Sequence, residues 1–188
     1  MKYFLNIKNN FRQYPSGNSA NNISNSINCK AWLCGILIVL TAFSHAPNSK
    51  PHVFIFAAAK CPCIYSHQET FGKLLNTYKD KIDFTIVFVD RNDDKEEITD
   101  MLENLGWKIN YIIDKKGNYI KKYHPKVFSD CVFVSPPGVI LYKGAVDDSP
   151  LNMGRVVNFY LKDAIEDYLS NKPVKIKEGK GLGCLITM

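Results

Sequence analysis

The sequence has little cysteine and no long apolar stretch, and both absences exclude classes of protein. Six cysteines among 188 residues are too few for a small secreted scaffold that depends on disulfides, so each cysteine is interpreted individually. The apolar run from Ala31 to Phe43 has 13 residues, which is short for a helix that crosses a membrane. The remaining residues carry enough apolar side chains for one domain with its own core.

Acidic residues are missing from the first part of the chain. Residues 1–46 have four basic and no acidic side chains, whereas residues 47–188 have 20 basic and 18 acidic ones. The net charge of +6 therefore falls mostly on the N-terminal segment. A nucleic-acid-binding protein of this size is expected to have a strong basic excess in its folded part. We therefore expect no nucleic-acid partner.

Residues 1–46 have the features of a targeting segment. Basic and polar residues precede the apolar run 31–43, and Ser44-His45-Ala46 follows it, with small residues at the −3 and −1 positions of a cleavage site. These features predict a signal peptide or an uncleaved signal anchor. The protein is then exported to the periplasm or another extracytoplasmic compartment, and it contacts a membrane only through this segment. A buried core helix is the alternative.

Residues 47–188 are predicted to form one domain that ends in a tail over residues 170–188. Short buried runs typical of strands alternate with the 3.6-residue apolar period typical of helices. The predicted strands are 52–56, 84–89, 108–113, 131–134 and 139–142, the last two joined as a hairpin by Ser135-Pro136-Pro137-Gly138.

Three amphipathic helices are predicted between and after these strands. The first has Ile64, Phe71, Leu74, Leu75 and Tyr78 on one side; the second is capped by Asp94 and closed by Gly106; the last carries Val157, Leu161, Ala164, Ile165 and Tyr168. A further helix is expected in the lysine-rich segment around residues 115–124. This alternation predicts an α/β fold, with a mixed central sheet, helices on both faces and a closing β-hairpin.

The motif Cys61-Pro62-Cys63 lies where the first strand gives way to the first helix. Proline suits the first position of a helix, so Cys61 is predicted as the N-cap. The helix dipole and the neighbouring Lys60 both favour the thiolate form of Cys61. Such a thiolate is a nucleophile toward disulfides and also a soft metal ligand. A pair of inert core cysteines is the alternative.

The order of elements around this cysteine pair resembles the thioredoxin-like superfamily. The C-terminal half is similar to exported redoxin-domain proteins of the alkyl hydroperoxide reductase/thiol-specific antioxidant group. The residues that carry this second resemblance are Val132-Phe133-Val134, Gly138, Tyr142-Lys143-Gly144, Val146-Asp147-Asp148, residues 160–164, Lys172-Pro173-Val174 and Gly183-Cys184-Leu185-Ile186. The resemblance covers about residues 50–188 and implies a thioredoxin-like fold and exchange of disulfides with a protein disulfide or dithiol partner.

Several positions depart from the patterns of these families. Phe54 and Ala58 stand where a peroxiredoxin has proline and threonine, so classical peroxidase activity is not expected. Ile55 replaces the buried acid of thioredoxins, and Ser129-Asp130 replaces their Thr-Pro with its cis bond. A cis bond before Asp130 is not expected, because a cis peptide without proline costs about 3 kcal/mol.

Cys61 is the predicted attacking thiol, and three thiols are candidates for resolving the mixed disulfide. The first is Cys63, the other member of the predicted catalytic pair, although residues two apart on a helix point to nearly opposite sides and their disulfide requires a non-helical turn. Cys131, next to the position of the missing proline, and Cys184, on the C-terminal tail, are possible resolving partners. A small buried core residue is the alternative for Cys131.

A second hypothesis comes from His67, four residues after Cys63 and so on the same helix face. Cys61, Cys63, His67 and Cys131 together offer the soft sulfur and nitrogen ligands that suit copper(I) or zinc. A surface histidine packed on Phe71 is the alternative. The sequence therefore predicts an exported thiol–disulfide oxidoreductase that requires no cofactor, with a non-enzymatic copper-binding or copper-delivery protein as the alternative function.

Overall fold

Six strands form one sheet in the part of the chain that this computed structural model describes, residues 49–148 and 156–187. They are β1 (His52–Ala57), β2 (Asp83–Phe88), β3 (Asn110–Ile113), β4 (Cys131–Val134), β5 (Ile140–Gly144) and β6 (Glu178–Gly179). The strand order is β3-β2-β1-β4-β5-β6. β1 pairs in parallel with β2 and antiparallel with β4. β2 pairs in parallel with β3, and β4 and β5 form an antiparallel hairpin, so the predicted mixed sheet is confirmed.

Five helices occur in the same residues. They are α1 (Cys63–Ser66), α2 (Gln68–Tyr78), α3 (Lys95–Leu105), α4 (Asn118–Tyr123) and α5 (Tyr160–Leu169). α3 begins as predicted, because Asp94 Oδ1 accepts a hydrogen bond of 2.9 Å from the Glu97 backbone N–H. It also ends as predicted at Gly106, whose φ of 68° is readily adopted by glycine.

Helices cover both faces of the sheet. Successive side chains of β1 point to opposite faces and therefore pack against different helices. Val53 and Ile55 of β1 belong to the larger core cluster, which also contains residues of α2, α3 and α5. Phe56 belongs to a second cluster with Ile120 and Tyr123 of α4. Burial on both sides explains why the strands of the sheet centre are apolar almost throughout.

The first predicted helix is in fact two. His67 interrupts it with φ −112° and ψ 12°, and its side chain is buried. The first of the two helices begins at Cys63 with Pro62 as its N-cap residue. The prediction that Cys61 is the N-cap is therefore wrong by one residue.

Two segments in the C-terminal part of the chain also differ from the prediction. Val157 lies before α5, which begins at Tyr160, and its side chain is exposed. Glu178 and Gly179, predicted to lie in the C-terminal tail, form the edge strand β6, which pairs in parallel with β5. Pairing with an existing edge is a tertiary effect that no local pattern in the tail signals.

The predicted targeting segment, including the apolar run 31–43, lies outside the described residues. Within residues 49–148 and 156–187, no helix combines the length and apolar character needed to cross a membrane.

Candidate active site

Cys61 and Cys63 lie in the tight turn that leads from β1 into α1. The Cys61 backbone N–H donates to the Ala58 carbonyl at 3.1 Å, and the Tyr65 N–H donates to the Pro62 carbonyl at 3.0 Å. Both cysteines are buried, with 9% of Cys61 and 2% of Cys63 exposed. These two hydrogen bonds fix the backbone on either side of the cysteine pair.

The C-terminal tail brings a third cysteine to this turn. The tail forms an antiparallel bridge between Leu185 and Val127. The Phe128 N–H donates to the Cys184 carbonyl at 2.9 Å, and the Ile186 N–H donates to the Lys126 carbonyl at 3.0 Å. As a result, the Cys184 N–H donates a hydrogen bond of 3.3 Å to Cys63 Sγ.

The three sulfur atoms form a compact cluster. The Sγ atoms of Cys61, Cys63 and Cys184 all lie within 4.8 Å of one another. All three are free thiols, and Cys184 is the exposed member. The structure therefore joins the predicted cysteine pair to one of the two predicted resolving cysteines, from the opposite end of the domain sequence.

Two glycines allow the tail to lie this close. A Cβ at Gly183 would stand 3.0 Å from the Phe128 carbonyl oxygen and 3.5 Å from Cys63 Sγ. At Gly181 it would stand 2.7 Å from Asp130 Oδ1 and 2.8 Å from Val127 Cγ2. A side chain at Gly181 would therefore require Asp130, Val127 or the tail to shift, whereas at Gly183 a smaller displacement would be enough.

The pKa shifts of the two cysteines run opposite to the prediction, which placed the thiolate at Cys61. Burial and the interactions with neighbouring thiols raise the pKa of Cys61 to about 12. Burial also acts to raise the pKa of Cys63, but hydrogen bonds from the Cys184 N–H and from the Cys61 and Cys184 thiols outweigh it and lower the pKa. The physical reason is the number of donors directed at one sulfur.

Lys60, predicted to support the thiolate, is directed elsewhere. Its Nζ lies 2.6 Å from Glu97 Oε1, on the surface. This ion pair joins the turn before Cys61 to the first turn of α3. Lys60 thus helps to hold that turn against α3. The donors that lower the pKa of Cys63 are instead thiols and a backbone N–H.

Asp130, the residue in the place of the usual proline, supports the segment that carries the tail. Its Oδ2 accepts hydrogen bonds from the backbone N–H groups of Lys126 at 2.8 Å and Val127 at 3.2 Å. Its Oδ1 is buried and has no hydrogen-bond partner among the described residues. Burial raises the pKa of Asp130. No peptide bond of the described residues is cis, and Ser129 instead adopts a left-handed φ of 79°.

Cys131 is not part of the sulfur cluster. It is fully buried in β4, and its thiol donates to the Gly144 carbonyl of β5 at 3.1 Å. Burial raises the pKa of Cys131 well above its usual value. This environment agrees with the core alternative given for Cys131 and leaves it without access to the other thiols.

His67 also lies outside the cluster, in a buried polar contact that the sequence did not signal. Its Nδ1 lies 2.7 Å from Asp147 Oδ1, with both side chains almost completely buried. Thr70 Oγ1 donates to the other carboxylate oxygen of Asp147 at 2.6 Å. The ring also packs edge-to-face on Phe71. This contact leaves no local pattern in the sequence, because Asp147 follows β5 and is far from His67 along the chain.

Comparisons with known proteins agree with this architecture. No family model and no curated protein matches the chain. Among solved structures, the chain is similar to an uncharacterized conserved protein from Geobacillus kaustophilus, with a TM-score of 0.66, 24% identity and coverage of 74% of this chain and 77% of that chain. A hypothetical protein from Sinorhizobium meliloti 1021 gives a TM-score of 0.66 at 19% identity, covering 74% of this chain and 80% of that chain.

A third similar structure is named as a thioredoxin. It is a putative thioredoxin from Neisseria meningitidis, with a TM-score of 0.52, 20% identity and coverage of 65% of this chain and 76% of that chain. The chain therefore has a thioredoxin-like fold, as the resemblance in its sequence implied. At these identities the similarity establishes the fold, and the activity is argued from the site itself.

Proposed function

We propose that the protein exchanges disulfides with protein partners, using the Cys-Pro-Cys motif together with Cys184. The observation that carries this proposal is the cluster of three free thiols within 4.8 Å of one another, at the end of β1 in a thioredoxin-like fold. A thiolate attacks a disulfide only when it is deprotonated and reachable. The cluster supplies one stabilised thiolate and two further thiols for the second step.

Cys63 is the attacking sulfur. It receives hydrogen bonds from the Cys184 N–H and from the neighbouring thiols, which lower its pKa. The Cys63 thiolate attacks one sulfur of a partner disulfide, a mixed disulfide forms, and the other partner sulfur leaves as a thiolate.

Cys184 is the resolving thiol. A Cys61–Cys63 disulfide would require rearrangement of a turn whose backbone is fixed by the hydrogen bonds of Cys61 and Tyr65. Cys184 lies on the tail, so its sulfur can reach Cys63 without changing that turn. After losing its proton it attacks Cys63 Sγ in the mixed disulfide and releases the second partner thiolate. Two electrons pass from the protein to the partner, and exchange with a second dithiol reverses the change.

Access to Cys63 requires movement of the tail. Only 2% of Cys63 is exposed, and the tail residues Gly183 and Cys184 lie directly against its sulfur. A neighbouring pocket of about 490 Å³ shares Phe128 and Leu185 with the site and is also lined by Arg91 and Lys121. A partner chain seated in this pocket would compete with the tail at the Phe128 segment.

The test uses the reduced full chain carrying Cys29→Ser and Cys34→Ser, so that only the four thiols of the described residues can react. Reduction of insulin disulfides is followed by turbidity, and the protein disulfide formed is mapped by mass spectrometry. Cys63→Ser is expected to abolish exchange, and Cys184→Ser to accumulate the mixed disulfide at Cys63. Cys131→Ser is the matched control, since its thiol is buried away from the cluster.

Two results would overturn parts of this proposal. Exchange that persists in Cys63→Ser contradicts the assignment of the attacking sulfur and, with it, the proposed activity. A Cys61–Cys63 disulfide in place of Cys63–Cys184 contradicts the resolving role of Cys184 while leaving the activity in place.

Export is a further part of the proposed function. Its support is the basic, acid-free segment with the apolar run 31–43 and the small residues Ser44 and Ala46. Oxidising compartments are also where stable protein disulfides occur. Fusion of alkaline phosphatase, which is active only after export, behind residue 60 is expected to give activity that disappears when Leu37→Arg and Val39→Arg interrupt the apolar run. Equal activity without the run would contradict export.

A further inference from the structure

The sulfur cluster has the composition and dimensions of a soft-metal site. We propose that the Sγ atoms of Cys61, Cys63 and Cys184 together bind one Cu(I) ion. The three sulfurs already lie within 4.8 Å of one another. Three sulfurs around a metal at about 2.3 Å stand roughly 4.0 Å apart in a trigonal arrangement. Binding therefore requires a contraction of less than about 1 Å.

The ligand set selects for Cu(I). Thiolates are soft ligands that favour Cu(I), whereas structural zinc almost always takes four protein ligands. The described residues offer three ligands in this group, and no histidine or carboxylate joins it. A three-sulfur site is complete for Cu(I) and incomplete for structural zinc.

The surroundings of the sulfurs also suit this ion. Cys61 and Cys63 pack with Ala58 and Phe128 in a small apolar cluster, which keeps water from two of the three ligands. The Cys184 N–H holds Cys63 Sγ at 3.3 Å, an outer contact of the kind that orients metal ligands. The exposed Cys184 leaves one side open through which the ion can enter or leave.

This ligand set differs from the one that the sequence predicted. His67 Nδ1 is engaged with Asp147, and the Cys131 thiol with the Gly144 carbonyl. Cys184, which the sequence offered only as a resolving thiol, takes their place. The proposed ligand set differs from the predicted one because the bridge between Leu185 and Val127 holds Cys184 of the tail beside the other two cysteines.

Binding involves no change in oxidation state. Copper arrives as Cu(I), three sulfur–copper bonds form, and the protons of the ligand thiols pass to solvent. The same sulfurs cannot be in a disulfide and hold the ion, so metal binding and disulfide exchange exclude each other in one molecule. The site goes beyond the proposed exchange activity and stands or fails separately from it, because binding is measured on the reduced protein without any disulfide substrate.

The experiment is an anaerobic Cu(I) titration of the reduced full chain carrying Cys29→Ser and Cys34→Ser, in competition with the chelator bathocuproine disulfonate. One equivalent is expected to bind. Cys61→Ser, Cys63→Ser and Cys184→Ser are each expected to weaken binding by about 10-fold or more, since loss of even an outer-shell partner costs that much. Cys131→Ser and His67→Gln are the matched controls and are expected to bind like the parent, with circular dichroism confirming that each variant is folded.

X-ray absorption of the copper-loaded protein supplies the second readout, with three sulfur neighbours expected. Two sulfur neighbours together with unchanged affinity in Cys184→Ser would overturn the three-cysteine site. Loss of affinity in folded His67→Gln or Cys131→Ser would replace it with the ligand set predicted from the sequence. Tighter binding of one Zn²⁺ than of Cu(I), measured with the same variants, would overturn the choice of metal.

Discussion

The backbone N–H of Cys184 donates a hydrogen bond of 3.3 Å to Cys63 Sγ, joining residues that are 121 positions apart. The contact depends on two further backbone hydrogen bonds that hold the tail on the segment 126–128. One short stretch of tail therefore donates a hydrogen bond to the Cys63 sulfur, lowers its pKa and brings a second thiol close to it. Changes that move the tail should alter all three properties together.

Replacing Cys184 by proline is expected to raise the pKa of Cys63, because proline has no N–H to donate. Cys184→Ser is the matched control, since it also lacks the thiol but keeps the N–H and a hydroxyl donor. The measurement is the pH at which alkylation of Cys63 by iodoacetamide is half maximal, mapped by mass spectrometry. The same midpoint in both variants would show that the backbone N–H does not stabilise the thiolate.

Gly181→Ala is expected to loosen the tail. Its Cβ would stand 2.7 Å from Asp130 Oδ1 and 2.8 Å from Val127 Cγ2, and relief of such overpacking costs about 1–3 kcal/mol. Hydrogen exchange at the Phe128 and Ile186 amides should accelerate by about 10-fold or more. Gly72→Ala is the control, because its Cβ would meet only Trp107 Nε1 at 3.7 Å. Unchanged exchange in Gly181→Ala would mean that the tail does not pack there in solution.

Asp130→Asn is expected to gain stability relative to the parent as pH rises. Burial raises the pKa of Asp130, so its contribution to stability is present below the unfolded value of 3.8 and is lost as pH rises through the folded pKa. Asparagine keeps an oxygen acceptor for the Lys126 and Val127 amides and carries no charge. Urea unfolding between about pH 3 and pH 7 measures the difference.

Asp148→Asn supplies a control of opposite sign. Hydrogen bonds from the backbone N–H groups of Asn158 and Val157 lower the pKa of Asp148. Its contribution is therefore present above 3.8 and lost as pH falls through the folded pKa. This variant should lose stability relative to the parent as pH rises, and parallel trends for Asp130→Asn and Asp148→Asn would contradict the assignment for Asp130.

His67→Ala is expected to lower the free energy of unfolding by about 1–3 kcal/mol, since Asp147 Oδ1 loses a buried polar contact. The contact of the ring with Phe71 is lost as well. Lys73→Ala, which removes the exposed i,i+4 pair with Glu69, should leave stability nearly unchanged. If the two substitutions lowered the free energy of unfolding equally, the buried contact between His67 and Asp147 would not contribute to stability.

Local pattern was sufficient for the framework of the fold. The apolar runs of β1 and β2 and the cap of α3 by Asp94 are short-range signals, and the structure has each of them at the predicted place. The strand-to-helix position of Cys61 and Cys63 was visible for the same reason. The break at His67 was missed, because the buried residue that receives its ring, Asp147, is 80 positions away in the sequence.

The sequence by itself determined the alternation of strands and helices and the chemical character of the cysteine pair, because these depend on side-chain periodicity and on residue identity. Tertiary structure decided which of the two cysteines has the lowered pKa and which third cysteine joins the pair. Donors that arrive from the tail contribute to lowering the pKa of Cys63, and hydrogen bonds between segments so far apart leave no pattern in the local sequence. The need for glycine at positions 181 and 183 is likewise visible only in the structure, where the tail packs closely on Asp130, Val127 and Cys63.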